Sequence, residues 1–183
     1  MKRILQLKKL LIIPLLFLAG NVLGQEQKSI LFNEINHHLE LGDFDRNLLK
    51  LASNFKQETK GNEQYMTCTI NNETINSIIK NSYKFISFEI PFSETENKIV
   101  LLKKRELLDD EFKLAIQEFN GKNESANKPN YVAYSGLLKS NLEQSLVSVI
   151  FYDNEIHASV FINDKEFTTT KIDKNENTYK MQE

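Results

Sequence analysis

The sequence has little of what most site chemistries need. Its 183 residues include one cysteine, three histidines, six glycines, three prolines and no tryptophan. A single cysteine excludes an intramolecular disulfide and any multi-cysteine metal site. So few glycines argue against a collagen-like chain and against a glycine-rich phosphate-binding loop. A formal charge of −2 at pH 7 also lacks the basic surplus of nucleic-acid-binding proteins. Composition therefore excludes more function classes than it proposes.

The first 24 residues have the pattern of a secretory signal peptide. Four basic residues lie within positions 2–9, the apolar run 10–18 follows, and small residues lead to Gly24. A basic start, a short apolar run and a small-residue cleavage site mark such peptides. The apolar run is shorter than the roughly 20 residues of a membrane-spanning helix. We therefore expect cleavage after Gly24 and a secreted product, periplasmic or extracellular, that does not span the membrane.

The residues after the expected cleavage site, 25–62, are predicted to form a helical N-terminal segment. Apolar residues recur every three or four positions from Ile30 to Leu39 and again from Leu48 to Phe55. That spacing places them on one face of a helix. Another helical turn or two is predicted from Thr74 onward, where apolar residues again recur at this spacing.

The next segment, 63–172, is predicted to form a β-rich domain. Residues 84–90 alternate between apolar and polar, which is typical of a half-buried strand, and Pro91 ends the alternation. Residues 97–105 form the expected returning strand. Residues 112–119 fit a strand or a helix equally well, and 121–130 have the composition of a polar loop.

The last third contains four short runs rich in β-branched and aromatic residues. They cover residues 131–138, 146–152, 156–162 and 167–172. Turn residues that tolerate left-handed backbone separate them, including Asp153-Asn154 and Asn163-Asp164. This spacing predicts an antiparallel meander, and residues 173–183 are predicted to be a polar tail or linker. The expected fold class is mainly β (α+β), an antiparallel β-sandwich or partly open barrel preceded by an N-terminal helical segment.

Residue patterns for catalysis or metal binding are absent from the sequence. A zinc peptidase helix needs two histidines one turn apart, whereas His37 and His38 are adjacent and His157 falls in a predicted strand. The serine of Ser135-Gly136 does not stand in a nucleophile elbow. The residues alone therefore predict no catalytic residue, no metal ligand and no cofactor, and the chain is not expected to be an enzyme.

The strand pattern of residues 84–172 is similar to a known family. A Tyr-x-Gly strand is followed by a polar turn ending in serine, an apolar strand, a short turn and a second apolar strand. The motif positions are Tyr134, Gly136, Ser145, Asn154 and Ile172. This pattern resembles the propeptide of reprolysin-type (adamalysin, ADAM-like) zinc metallopeptidases, of the kind found in secreted Bacteroidetes proteins.

The resemblance implies a secreted, non-catalytic pro-domain that assists the folding of a cognate zinc metallopeptidase and inhibits it. The chain would be a fragment of a longer zymogen or a stand-alone remnant, acting in cis or in trans. Inhibition would use main-chain pairing by an edge strand, either 131–138 or one from the hairpin 146–162. Cys68 is a weak candidate for a latency thiol that ligates zinc, and a small buried hydrophobe in a strand is the simpler interpretation. The alternative is an exported cell-surface binding or adhesion β-domain, which a ligand pocket would favour.

Overall fold

A computed structural model describes residues 26–93, 96–107, 114–117, 123–126, 130–172 and 177–183. The predicted signal peptide and its cleavage site lie outside these residues. The helices are α1 (residues 26–40), α2 (Asp43–Arg46) and α3 (Asn72–Asn81). The strands are β1 (Leu48–Leu49), β2 (Ala52–Lys60), β3 (Glu63–Ile70), β4 (Phe85–Pro91), β5 (Asn97–Arg105), β6 (Leu114–Gln117), β7 (Asn123–Ala126), β8 (Tyr131–Leu138), β9 (Ser145–Tyr152), β10 (Glu155–Ile162), β11 (Lys165–Lys171) and β12 (Thr178–Gln182).

Ten of these strands form one sheet that curls into a half-barrel. Their order is β1-β4-β5-β8-β9-β10-β11-β12-β3-β2, and β6 and β7 form a separate two-stranded ribbon. Among the described strands, β1 and β4 pair in parallel and all other pairs are antiparallel. The predicted fold class is thereby confirmed as a partly open, mainly β barrel with an N-terminal helix.

The predicted meander is confirmed by β8, β9, β10 and β11, which pair with one another in chain order. Two of its turns contain two residues each with positive φ: 49° and 61° at Asp153-Asn154, and 49° and 63° at Asn163-Asp164. Two left-handed residues in a row are the geometry of the tight hairpin turn that suits strand twist. Short polar side chains tolerate this backbone, which explains why the sequence signalled both turns.

The helical prediction for residues 48–60 is wrong, because these residues form β1 and β2. Ala52 and Phe55 both pack against the core although they are three positions apart. A bulge lies between Ser53 and Lys56, and Asn54 within it has a φ of 54°. One extra residue in a strand changes the spacing of inward positions. The bulge therefore produced a spacing that imitates a helix.

Two other predicted irregular segments contain strands. Residues 178–182, expected to be a polar tail, form β12 between β11 and β3, with Tyr179 and Met181 buried. Residues 123–126, expected to be loop, form β7 and pair with β6 at 114–117. The prediction of strand or helix for 112–119 is thereby settled as strand over 114–117, and its remaining residues lie outside the described part. In both segments the polar composition led to the wrong prediction of irregular structure, because main-chain pairing, and not side-chain burial alone, holds strands together.

Two apolar clusters cover the two faces of the sheet. The inner cluster fills the half-barrel and includes Ile75 and Ile78 of α3. Asn71 caps this helix by accepting hydrogen bonds from the main-chain N–H groups of Glu73 and Thr74. The outer cluster packs Leu31 and Ile35 of α1 against the opposite face, on residues that include Phe44, Phe85, Leu101 and Leu137. Helix α1 therefore shields the outside of β4, β5 and β8, and α3 packs one apolar face against the inner cluster.

Candidate functional site

The five positions that carried the family resemblance have structural roles in separate places. Tyr134 lies buried in β8, donates a hydrogen bond to the Tyr83 carbonyl at 3.0 Å and packs edge-on against Phe151. Burial raises the pKa of Tyr134 above its ordinary value. This phenol is therefore a neutral hydrogen-bond donor inside the barrel wall.

Gly136 allows two strands to pack closely, and Ser145 makes hydrogen bonds within a turn. A Cβ at Gly136 would stand 1.8 Å from the Leu101 carbonyl oxygen, so only glycine fits this approach of β8 to β5. The buried Ser145 hydroxyl accepts from the Leu138 N–H at 2.8 Å and donates to the Asn141 carbonyl. It holds the β8–β9 turn together.

Asn154 and Ile172 complete the set without adding a site. Asn154 is the second residue of the β9–β10 turn, and Ile172 follows β11 with a relative exposure of 49%. Ser145 begins β9, whereas Asn154 follows its other end. The motif positions therefore do not converge on one cluster.

Cys68 faces the interior of its own domain. It is buried in β3, and burial raises the pKa of its thiol from 9.0 to about 11. A zinc-ligating latency cysteine must be accessible and ionised. The interpretation of Cys68 as a small buried hydrophobe in a strand is confirmed.

The interior of the half-barrel contains an apolar cavity of about 30 Å³. The lining residues come from strands around the curled sheet: Leu51, Ala52, Cys68, Ile70, Phe88, Glu89, Ile90, Pro91, Val100, Val147, Val149, Ile156, Ala158, Val160, Thr169, Tyr179, Lys180 and Met181. Almost all of the lining surface is apolar. An apolar cavity stays dry because a water inside it would lack hydrogen-bond partners.

The cavity lies under the open side of the half-barrel, between β4 and β2. Strand β1 pairs with β4 only at Ser87 and Phe88, so the last three residues of β4 continue beyond it. Those residues and Ala52 of β2 line the cavity from the two sides. Lys50 and Leu51 are the only residues between β1 and β2. The chain thus connects the two ends of the sheet without a hydrogen-bonded ladder between them.

On the side of the barrel opposite to the opening between β4 and β2, side-chain oxygens complete the wall between β10 and β11. The main-chain ladder of these strands runs only from the Ser159–Thr168 pair to their turn. Beyond it, the Ala158 N–H donates to Thr169 Oγ1 at 2.8 Å and the Ile156 N–H donates to Tyr179 Oη at 3.3 Å. These hydroxyls satisfy donors that a continuous ladder would otherwise pair.

Two aromatic rings and a lysine close the end of the barrel above the cavity. Phe92 and Phe167 pack with their ring centroids 5.1 Å apart. The Lys98 ammonium lies 4.5 Å from the Phe92 centroid and 2.8 Å from Glu96 Oε1, and the Lys98 side chain is only 12% exposed. We call Phe92, Phe167 and Lys98 the mouth.

Lys98 was not among the predicted site residues, although the sequence contains a signal for it. Lys98, Val100 and Leu102 alternate along β5, and Val100 and Leu102 belong to the inner cluster. Lys98 also pairs with Ile90, another inner-cluster residue. A lysine in phase with the buried residues of a strand is unusual. Tyr179 and Met181 showed the same alternation in the segment predicted to be a tail.

The strands proposed for inhibitory pairing are not sheet edges. Strand β8 lies between β5 and β9, and the hairpin β9–β10 lies between β8 and β11. The prediction that 131–138 or 146–162 offers an edge is therefore wrong. A meander built of consecutive strands buries its members in the middle of the sheet. The strand at one end is β2, and its stretch 56–60 is exposed along its length.

The described residues hold no group of three or more histidine, cysteine, aspartate or glutamate side chains placed to bind a metal. In the same part of the chain, every helix is too short or too polar to cross a membrane. His38 lies instead 2.7 Å from Asp43 and against the ring of Phe85, and His157 is exposed on β10. These histidines thus belong to a helix–sheet contact and to the surface.

Comparisons with models of protein families, with curated proteins and with solved structures find no match to this chain.

Proposed function

We propose that the chain is an exported, non-catalytic domain that binds another protein, and that its partner is a secreted zinc metallopeptidase which it helps to fold and inhibits. The pattern of residues 1–24 supports export. The strand pattern around Tyr134 and Gly136 supports the choice of partner. The chemistry of the described residues agrees with a binding role, since the lone thiol is buried and protonated at neutral pH.

The observation that carries this proposal is the edge strand β2, which among the described strands pairs with β3 alone. This strand ends the ten-stranded sheet, and with the start of β3 it forms a ribbon whose residues 56–64 are exposed on both faces. An extended peptide can pair with such an edge through main-chain hydrogen bonds. Lys56, Glu58 and Lys60 alternate with uncharged residues along it. Charges at an edge oppose indiscriminate pairing, so a partner needs complementary charges.

Enzyme inhibition tests this proposal directly. The chain from residue 25 onward is mixed with a reprolysin-type peptidase domain encoded in the same genome, and peptide hydrolysis is followed by initial rates. We expect a saturable fall in turnover, with a zinc peptidase of another class unaffected. Unchanged turnover at a large molar excess would refute the metallopeptidase as partner.

Matched proline variants test the edge itself. Gln57→Pro and Glu58→Pro each remove one N–H, and successive residues of an antiparallel strand point their N–H groups to opposite sides. One variant therefore removes a free-edge donor, and the other removes a donor of the β2–β3 ladder. We expect the free-edge variant, recognised by its smaller loss of thermal stability, to lose inhibition. Full inhibition by that variant would exclude pairing at this edge.

A second candidate function is an exported binding domain for a small ligand, either at the cell surface or released. The apolar cavity beneath the open side of the barrel favours it. The interiors of β-barrels are common ligand sites, and at about 30 Å³ this cavity has to widen before it holds a ligand.

A further inference from the structure

We propose that the half-barrel interior is a binding site for a fatty acid, with the alkyl chain in the apolar cavity and the carboxylate on Lys98 at the mouth. This inference rests on the second candidate function, ligand binding, and adds the chemical class of the ligand. It is independent of any partner protein.

The mouth residues continue the cavity along three of its walls. Pro91 lines the cavity, and Phe92 follows it directly. Thr169 lines it on β11, and Phe167 is the preceding position on the same face of that strand, because side chains alternate. Val100 lines it on β5, and Lys98 is the preceding position on the same face. Lys98 does not itself line the cavity; its ammonium lies at this end of the barrel, 4.5 Å from the centroid of the Phe92 ring.

A second hollow lies directly outside the mouth. It measures about 200 Å³ and is lined by Met66, Met181, Phe92 and Phe167 together with polar residues of β2, β3 and the C-terminus. Met181 lines both this hollow and the inner cavity. The Phe92–Phe167 pair and Met181 thus separate the two spaces. Rotation of these side chains joins them, and methionine is well suited to such repacking because its side chain is unbranched and flexible.

The inner cavity is closed to a long chain in this arrangement, since it holds only about 30 Å³. Two features allow it to widen. The open side between β4 and β2 has no hydrogen-bonded ladder to break beyond the short β1–β4 pairing. The bulge in β2 at Asn54 already bends that strand. Widening therefore requires side-chain movement and separation of β2 from β4, with the strand ladders elsewhere intact.

Lys98 determines which head group the ligand carries. Its ammonium is largely removed from solvent and has Glu96 as its charged partner, and the Glu96 side chain is 55% exposed. A buried lysine needs a charged or polar partner. A ligand carboxylate can replace the exposed Glu96 carboxylate while the charge balance at Lys98 stays the same. An alkyl chain with one carboxylate matches a narrow apolar interior with one cation at its mouth.

Calorimetry and methionine NMR test the proposal with dodecanoate, below its micelle concentration, as the probe. The chain from residue 25 onward contains Met66 and Met181, so ¹³C-methyl labelling gives two assignable signals. We expect one saturable site and a shift of the Met181 signal. Lys98→Met should weaken dodecanoate binding about tenfold or more, because it removes a charge-assisted hydrogen bond. Glu96→Gln should strengthen it, because it removes the competing carboxylate.

Controls separate the head group from the tail. Lys84 also lies over a phenylalanine ring, 5.5 Å from the centroid of Phe85, but that ring belongs to the outer cluster. Lys84→Met should leave dodecanoate affinity unchanged, and dodecanol should bind equally to the unsubstituted protein and to Lys98→Met. Equal weakening by both lysine variants, or no loss in Lys98→Met, would overturn the role of Lys98. If dodecanol binds and dodecanoate does not, the fatty-acid class is wrong while ligand binding stands; if neither binds, both fail.

Discussion

The main-chain N–H of Ile156 donates its hydrogen bond to the phenolic oxygen of Tyr179, 3.3 Å away. The donor lies at the start of β10, and the acceptor comes from β12, two strands further along the sheet. Together with Thr169, which serves Ala158 in the same way, Tyr179 fills the space where β10 and β11 separate. The barrel wall is thus continuous in hydrogen bonding although its main-chain ladder is interrupted.

Tyr179→Phe should lower the free energy of unfolding by about 1–3 kcal/mol, because it leaves the buried Ile156 N–H without an acceptor. Urea denaturation measures the change. Tyr65→Phe is the matched control, since the Tyr65 hydroxyl lies on the exposed ribbon, 3.4 Å from Glu58. The control should change stability by less than about 0.5 kcal/mol. Equal effects of the two variants would contradict the role assigned to Tyr179.

Gly136→Ala should destabilise the fold by about 2 kcal/mol or more, because its Cβ would collide with the main chain at Leu101. The neighbouring atoms are carbonyl and Cα atoms, which cannot rotate away. Gly61→Ala tests whether any glycine substitution has this effect: Gly61 has a φ of 66° and open space around it. We expect about 1–2 kcal/mol there from the left-handed backbone alone. Thermal unfolding followed by circular dichroism compares the two variants, and a milder effect at Gly136 would be inconsistent with this packing.

The thiol of Cys68 should react slowly with alkylating reagents. Its pKa of about 11 lies above the ordinary 9.0, so at pH 8 the folded protein contains about 100-fold less thiolate than the unfolded chain. Labelling by iodoacetamide, followed by mass spectrometry in buffer and in urea, gives the ratio of rates. Steric protection adds to the difference, and similar labelling rates in buffer and in urea would contradict the burial of this side chain.

Stability should fall in alkaline solution. Burial raises the pKa values of Cys68, Tyr134 and Tyr179 above their ordinary values of 9.0 for the thiol and 10.0 for the phenols. The unfolded chain therefore releases these protons at lower pH than the folded protein does, and the free energy of unfolding decreases as the pH rises above about 9. Urea midpoints measured from pH 7 to 10.5 test this. Cys68→Ala should show a shallower decline between pH 9 and 10.5, and an identical slope would show that the thiol does not contribute.

The packing of helix α1 on the sheet should depend more on the burial of its apolar side chains than on its ion pair with the sheet. Ile35 is fully buried in the outer cluster, so Ile35→Ala should lower the free energy of unfolding by about 2–5 kcal/mol. The ion pair of Lys103 with Glu34 also joins α1 to the sheet, but both side chains retain contact with solvent, at 19% and 39% exposure. Lys103→Met should cost less than about 1 kcal/mol. Chemical denaturation of both variants measures the two losses in the free energy of unfolding. A larger loss for Lys103→Met than for Ile35→Ala would contradict this account.

The strands and turns that were predicted well from the sequence are those determined by neighbouring residues in the chain. The strand predicted at 84–90 and the turns at Asp153-Asn154 and Asn163-Asp164 depend on residues close together in the chain, and the strand and both turns appear in the structure. The strand is buried on both faces rather than half-buried, because α1 covers its outer face. In β5 the predicted bounds, 97–105, are those observed. Periodicity and turn chemistry act over a few residues, so a single sequence contains them in full.

The errors concern strands whose own residues do not show a strand pattern. Strand β2 pairs with its neighbour in the chain, β3, but its bulge gives the inward positions a helix-like spacing. Strand β12 forms because β3 and β11 flank it, and its pairing with β3 is long-range. The candidate ligand site was missed for the same reason: Phe92, Lys98 and Phe167 meet only when the sheet curls. Their spacing in the chain gives no hint that they share one end of a barrel.

The position of β12 also sets the order in which this chain can fold. Cys68 of β3 pairs with Tyr179 of β12, roughly 110 residues later. The hairpin β2–β3 therefore cannot join the rest of the sheet until β12 has been synthesised. Such a high contact order favours slow folding and keeps the growing polypeptide open. Under the export that we propose, this delay would keep the chain extended while it crosses the membrane.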